Sequence, residues 1–79
     1  MDQVMSAGRP NLEVQGMADA WDFFLGHADL TRQQVMAFGR QVEKRYQTIG
    51  QEARGAGFFR MAYIMAPWFE DEKERHSSG

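Results

Sequence analysis

The chain has no cysteine, only two prolines and no long hydrophobic run. Without cysteine it can form neither disulfides nor thiolate metal sites, and two histidines are too few for a typical zinc site. The most apolar segment, 58–69, contains Arg60 and is shorter than the roughly 20 residues that a membrane-spanning helix needs. No alternating strand pattern bounded by hairpin turns is present, so β-structure is not expected.

The residue constellations of common enzymes are also missing. The glycines of 55–57 are followed by two phenylalanines rather than by Lys and Ser or Thr, so they do not form a nucleotide-binding loop. The three serines lie near the chain ends, where a nucleophile could not be held in place. Asp19, Asp22 and His27 could share a metal, but such a group at a helix end is typical of a solvated surface. We therefore expect no catalysis, no cofactor and no bound metal.

The first residues lack a basic segment followed by an apolar run, so no targeting signal is expected. Together with the absence of cysteine, this favours a soluble cytoplasmic protein. Seventy-nine residues form one domain at most, and a domain of this size is only marginally stable by itself. Since disulfides and metals are excluded, oligomerisation or partner binding is the expected source of extra stability.

Charge is distributed in three blocks. Residues 1–30 carry one basic and five acidic residues, residues 31–65 six basic and two acidic, and residues 66–79 two basic and four acidic. A basic middle between acidic ends favours charge complementarity within the molecule or between subunits. The alternative is a basic surface for an acidic partner.

A first helix is predicted from Asn11 to about Leu25. The Asn11 side chain is a good N-cap. Gly16 weakens the helix but permits close contact with another helix. Gly26 is expected to end it in the left-handed conformation. Apolar residues recur every three or four positions and form one stripe: Val14, Met17, Ala18, Trp21, Phe24 and Leu25.

The second helix, predicted over 32–49, has the best-defined start. Thr31 as N-cap and Gln34 at the third helical position match a capping box. Gly39 lies within the helix, where it could allow another helix to approach closely. Steps of three and four residues place the apolar side chains on one seam: Val35, Phe38, Val42, Tyr46 and Ile49.

Residues 50–57 contain three glycines and predict a break or hinge. The alternative is one continuous helix over 32–66, since the other residues of this stretch favour helix. A third helix is predicted at about 57–66, ending before Pro67, which has no N–H to donate. Pro67 could then begin a short fourth helix, 68–75.

The sequence thus predicts an all-α fold, a small three-helix bundle, with a four-helix bundle or a helical hairpin as alternatives. A single helical domain, 11–75, is expected between a flexible arm, 1–10, and a disordered tail, 76–79. Six methionines and ten aromatic residues exceed what one small core can cover, so an oligomer is expected. The predicted partner-binding residues are Phe58, Phe59, Met61, Met65, Trp68 and Phe69.

These patterns indicate a non-catalytic protein–protein interaction module. It would be a small regulator, adaptor or inhibitor, of the kind that phages and other mobile elements carry. The expected partner is a second copy, as a homodimer or higher oligomer, a larger protein, or both.

The alternative is a small helical DNA-binding regulator. A helix-turn-helix with its turn at Gly39 would make the following basic residues a recognition helix, but that turn would interrupt the apolar seam. Membrane-surface association is disfavoured by the few basic residues beside the apolar helix. The residues expected to contact nucleic acid or an acidic partner are Arg40, Lys44, Arg45 and Arg54.

Overall fold

The computed structural model describes residues 11–74. Its helices are α1 (Leu12–Leu25), α2 (Arg32–Thr48) and α3 (Glu52–Met65), followed by a 3₁₀ turn (Ala66–Trp68). Over residues 11–74 there is no strand beyond a single backbone bridge between Thr31 and Glu70. The prediction of an all-α fold with three packed helices is confirmed. The predicted arm at 1–10 and tail at 76–79 lie outside the described residues.

The helix α3 lies between the other two. Its backbone lies close to those of both α1 and α2, while α1 and α2 meet mainly through side chains, such as the stacked rings of Phe23 and Phe38, whose centroids are 4.6 Å apart. Glu13 lies beside Gly57 and Trp21 beside Trp68, so α1 and α3 run in the same direction. The helix α2, joined to each by a short turn, runs antiparallel to both.

The backbones of α1 and α3 come into contact where two glycines cross. A Cβ on Gly57 would collide with the carbonyl oxygen of Glu13, and a Cβ on Gly16 would collide with that of Arg54. Only glycine fits at either position without moving the helices apart. The close contact predicted for Gly16 is therefore confirmed, and we call this contact the glycine crossing.

The predicted break after the second helix is confirmed and lies at Gly50. Its φ of 77° is the only positive φ among the described residues, and it turns the chain from α2 into α3. The continuous helix over 32–66 is excluded. The predicted start of the third helix, at about 57, is wrong, because α3 begins at Glu52. Gly55 and Gly57 remain helical because each faces a neighbouring helix at close range.

The predicted helix starts are confirmed by their hydrogen bonds. The Asn11 side chain accepts from the backbone N–H of Val14 at 3.3 Å. Thr31 and Gln34 form both bonds of the capping box, at 3.2 and 2.9 Å. Gly26 does end α1, but its φ is −88°, so the predicted left-handed conformation is wrong.

Arg32 makes most of the side-chain bonds that hold the C-terminal segment against the start of α2. Arg32 donates to the carbonyl oxygens of Ala66, Pro67 and Phe69 at 3.3–3.4 Å and pairs with Asp71 at 3.4 Å. Carbonyls at a helix C-terminus have no partner within the helix, so these bonds satisfy them. We call this arrangement the Arg32 cap.

The fourth helix predicted at 68–75 begins later than expected: residues 72–74 are helical, whereas Pro67 is not its first residue. Pro67 lies inside the 3₁₀ turn, and the chain becomes extended at Phe69, with a ψ of 154°. The extended segment pairs with the start of α2, where the N–H of Arg32 donates to the carbonyl oxygen of Glu70 at 2.9 Å. This pairing continues the attachment made by the Arg32 cap.

The core lies between the C-terminal half of α1, the N-terminal half of α2 and one face of α3. Phe24, 1% exposed, is at its centre and contacts the rings of Phe38, Phe58 and Phe69 at centroid distances of 5.7–6.3 Å. The buried apolar residues are Ala20, Phe24, Val35, Phe58, Ala62, Met65, Ala66 and Phe69.

Candidate interaction surfaces

Half of the six predicted partner-binding residues lie in the core. Phe58, Met65 and Phe69 are 5%, 1% and 9% exposed. In this fold α1 and α2 cover most of their surface, so they offer little area to a partner. The six residues therefore do not form one surface.

The other three residues lie on different sides of α3. Phe59 and Met61 are half-buried, Phe59 beside Gly39 of α2 and Met61 against the core. Trp68 is 62% exposed and is the only member of the predicted set with a largely free side chain. Trp68 therefore identifies where an apolar contact surface is available.

An exposed apolar surface surrounds Trp68. Its ring meets the ring of Trp21 edge-on, with centroids 5.9 Å apart, and Trp21 is itself 41% exposed. Leu25 lies one turn beyond Trp21 on α1 and is 58% exposed. Ile64 lies on α3, about one turn before Trp68 of the 3₁₀ turn, and is 44% exposed. We call these four residues the tryptophan patch.

The patch continues along α1. Val14, Ala18, Trp21 and Leu25 are separated by four, three and four residues, a spacing that places them on one helix face. All four are exposed, and Val14 is 57% exposed. We call this row the α1 stripe.

The apolar stripe predicted for the first helix therefore consists of residues on two different faces. Phe24 packs inward, beside Gly16 and Ala20, while the α1 stripe faces out. Apolar residues cover most of the circumference of α1, so periodicity alone could not decide which of them face α3. Gly16 was the signal that could have decided it, because the close contact it allows fixes the inward face.

Two of the three carboxylates on α1 are paired with arginines of α3. Glu13 lies 3.7 Å from Arg60, and Asp19 lies 2.8 Å from Arg54. Asp22 is exposed and forms no ion pair within residues 11–74. The outer face of α1 is thus apolar and nearly uncharged.

Arg54 links the three helices rather than projecting from them. Its Nε and Nη2 both donate to Asp19 at 2.8 Å, and its guanidinium lies 5.2 Å from the ring centroid of Tyr46. The hydrogen bond with Asp19 raises the pKa of Arg54 against the opposing effect of desolvation. Arg54 was predicted as a contact for an acidic partner or nucleic acid, but its guanidinium is occupied.

The other three predicted basic contacts lie on the exposed surface of α2. Arg40, Lys44 and Arg45 are exposed and form no ion pair with any residue in the described range. The helix passes through Gly39 without a turn, so the helix-turn-helix geometry is absent. Gly39 instead lies against Ala62 and Phe59 of α3, as the close approach predicted there requires.

A cleft opens on the side where α1 and α2 diverge. It has a volume of about 260 Å³, with Phe58 of α3 in its lining and exposed Ile49 at its edge. Arg45 is its only charged lining residue. Its full lining is Phe23, Phe38, Val42, Arg45, Tyr46, Ile49 and Phe58.

Asp19, Asp22 and His27 do not form a metal site. Asp19 is bound to Arg54, and His27 donates from Nδ1 to the carbonyl oxygen of Phe23 at 2.7 Å. Within residues 11–74, no three His, Asp or Glu side chains are placed to hold a metal ion together. None of the helices in this range is both long and apolar enough to cross a membrane.

Comparisons with protein-family models, with curated proteins and with solved structures give no match to this chain. The function of this chain is therefore inferred from its own surfaces.

Proposed function

We propose that this chain is a non-catalytic interaction module, a small regulator, adaptor or inhibitor that acts by binding a protein through the tryptophan patch. The exposed pair Trp21 and Trp68 is the observation that carries the proposal. Tryptophan is strongly enriched among the residues that supply most of the binding energy in protein interfaces. Two such rings in contact at a surface are poorly explained by fold stability.

The size of the exposed surface supports the same proposal. With Val14, the tryptophan patch leaves on the order of 500 Å² of apolar surface exposed, near the upper end of what soluble monomers show. Patches of this size frequently mark binding sites. The core meanwhile is closed around Phe24, so the patch is not needed to complete it.

The test compares the patch with other exposed apolar residues. In the test variant Leu25, Ile64 and Trp68 are replaced with Ser. In the matched control Ile49→Ser and Tyr63→Ser are combined, since these side chains are 60% and 66% exposed but lie outside the patch. Association is measured by sedimentation equilibrium and by capture of binding proteins on the immobilised chain, with circular dichroism to confirm folding.

We expect the patch variant to lose association or capture while the control retains it. If the folded patch variant associates and captures proteins as the wild type does, the tryptophan patch is not the binding surface. If the wild type neither self-associates nor captures any protein in a patch-dependent manner, the interaction function itself is contradicted.

DNA binding is the second candidate, and the unpaired cations Arg40, Lys44 and Arg45 favour it. Phosphate contacts release counterions, so such binding would weaken steeply with salt. Replacing all three residues with Gln should abolish any low-salt shift of duplex DNA, while Arg60→Gln, which is paired with Glu13, should change it little. The absence of a shift for the wild type at low salt would remove this candidate.

A further inference from the structure

We infer that the protein bound by the tryptophan patch is a second copy of this chain, and that the two copies pack their α1 helices antiparallel about a two-fold axis. The inference rests on the proposed function and names its partner. It follows from the spacing, the charge and the area of the exposed surface.

The α1 stripe is complementary to itself in the antiparallel direction. An axis midway between Ala18 and Trp21 places Trp21 over Ala18 of the second copy, so the largest side chain meets the smallest. The same axis places Leu25 over Val14. The stripe spans about 16 Å, which is three turns of helix and long enough for a continuous contact.

Charge permits this pairing and does not favour a strongly charged partner. Glu13 and Asp19 are paired with arginines of α3, at 3.7 and 2.8 Å, so only Asp22 brings an unpaired carboxylate to each α1. No basic residue lies on α1. Antiparallel helices also align their dipoles favourably. A nearly uncharged apolar face is best covered by another of the same kind.

The area and the symmetry agree with a closed dimer. The exposed apolar surface of roughly 500 Å², to which Ile64 and Trp68 contribute beside the α1 stripe, approaches the roughly 800 Å² that each partner of a standard interface buries. A two-fold contact uses the same surface on both copies and leaves none open, which limits assembly to two chains. A chain of this size without disulfides gains stability from such pairing.

The experiment uses Val14 and Leu25, which are 57% and 58% exposed, so charged replacements leave the monomer folded. Sedimentation equilibrium is run on the wild type, on Val14→Lys, on Leu25→Glu, on an equimolar mixture of these two variants, and on the double variant. Ile49→Lys is the control for an added charge at an exposed apolar residue outside the patch.

We expect a wild-type dimer, and dissociation constants raised about ten-fold or more in each single variant, because a charge is buried against an apolar side chain. The mixture should form a heterodimer, since the lysine of one chain faces the glutamate of the other. The double variant should dimerise with itself for the same reason. The control should match the wild type.

Three results would overturn the inference. The wild type could be monomeric up to millimolar concentration, a single variant could dimerise as the wild type does, or the mixture could fail to associate. A monomeric wild type would still leave the proposed function intact if proteins are captured through the patch, so the two failures are distinguishable.

Discussion

The two ends of the contact between α1 and α3 differ in how closely the helices approach. At the glycine crossing, Gly16 and Gly57 bring the two backbones together and leave no room for a side chain. Toward the other end, Trp21 and Trp68 meet edge-on at 5.9 Å and stay exposed. The same pair of helices thus forms a closed contact through its smallest residues and an open surface through its largest.

This difference shows that burial here is not decided by hydrophobicity. Gly57 is buried and Trp68 is 62% exposed, although tryptophan is by far the larger apolar residue. Backbones that touch at one end fix the helix directions, and the directions then determine which side chains point inward. Large residues outside the space that the three helices enclose remain exposed and available for a partner.

Met65 and Ile64 are neighbours on α3, and their substitutions should differ most in their effect on the free energy of unfolding. Met65→Ser should lower the free energy of unfolding by about 4 kcal/mol, because Met65 is 1% exposed and its loss leaves a cavity and a buried hydroxyl. Ile64→Ser should lower it by only about 1 kcal/mol, because Ile64 is 44% exposed. Urea unfolding followed by circular dichroism at low protein concentration measures both. Equal effects would mean that the tryptophan patch belongs to the core.

The glycine crossing is tested by adding one carbon. Gly57→Ala should lower the free energy of unfolding by about 3 kcal/mol, because the new Cβ collides with the backbone of Glu13. The control is Ala56→Gly on the same helix, where the exposed side chain contributes only helix propensity, about 1 kcal/mol. A stabilised Gly57→Ala variant would show that the helices are not in backbone contact.

The ion pair between Asp19 and Arg54 should contribute less to the free energy of unfolding than the glycine crossing does. A double-mutant cycle with Asp19→Asn and Arg54→Gln should give a coupling free energy of about 1 kcal/mol, since both side chains are about a third exposed to solvent. The cycle is measured by urea unfolding at low and high salt. A coupling near zero would mean that the ion pair does not contribute to the stability of the fold.

The smallest expected effect is a pH dependence at Asp71. A hydrogen bond from the backbone N–H of Lys73 lowers the pKa of Asp71, helped by the Gln33 side chain and by the charge of Arg32. Because the pKa of the folded state is depressed, the stabilisation is present above the unfolded-state value of about 3.9 and is lost as pH falls through the folded-state pKa.

Asp71→Asn should therefore remove part of the loss of stability between neutral and acid pH. Urea midpoints at several pH values measure it, and they should converge with those of the wild type at the acid end. An unchanged difference between the two proteins across the pH range would contradict a role for the Asp71 charge in holding the C-terminal segment.

Local chemistry made several features predictable from the sequence. The caps at Asn11 and Thr31 depend on residues within four positions, and so does the break at Gly50. The sequence located that break only to within residues 50–57. The start of α3 was not predictable in the same way. Gly55 and Gly57 normally weaken a helix, and here they are retained by contacts with α2 and α1 that local sequence does not reveal.

The candidate surface was predictable only in part. The excess of bulky apolar residues was visible in the sequence, and the exposed tryptophan patch agrees with it. The particular residues were not, because the apolar arc of the segment 58–69 is wider than the face that the core covers, and the position of that face depends on where α1 and α2 pack. Binding itself stays a prediction until association is measured.

The Arg32 cap also bears on the order in which parts of the fold form and open. Its bonds join residues 34 to 39 positions apart, so we expect it to close after the more local contacts of α2, the turn at Gly50 and α3. The backbone N–H of Arg32, bonded to Glu70, should therefore exchange with solvent when the C-terminal segment detaches, before the core opens. One amide thus reports the first step of unfolding separately from the global transition.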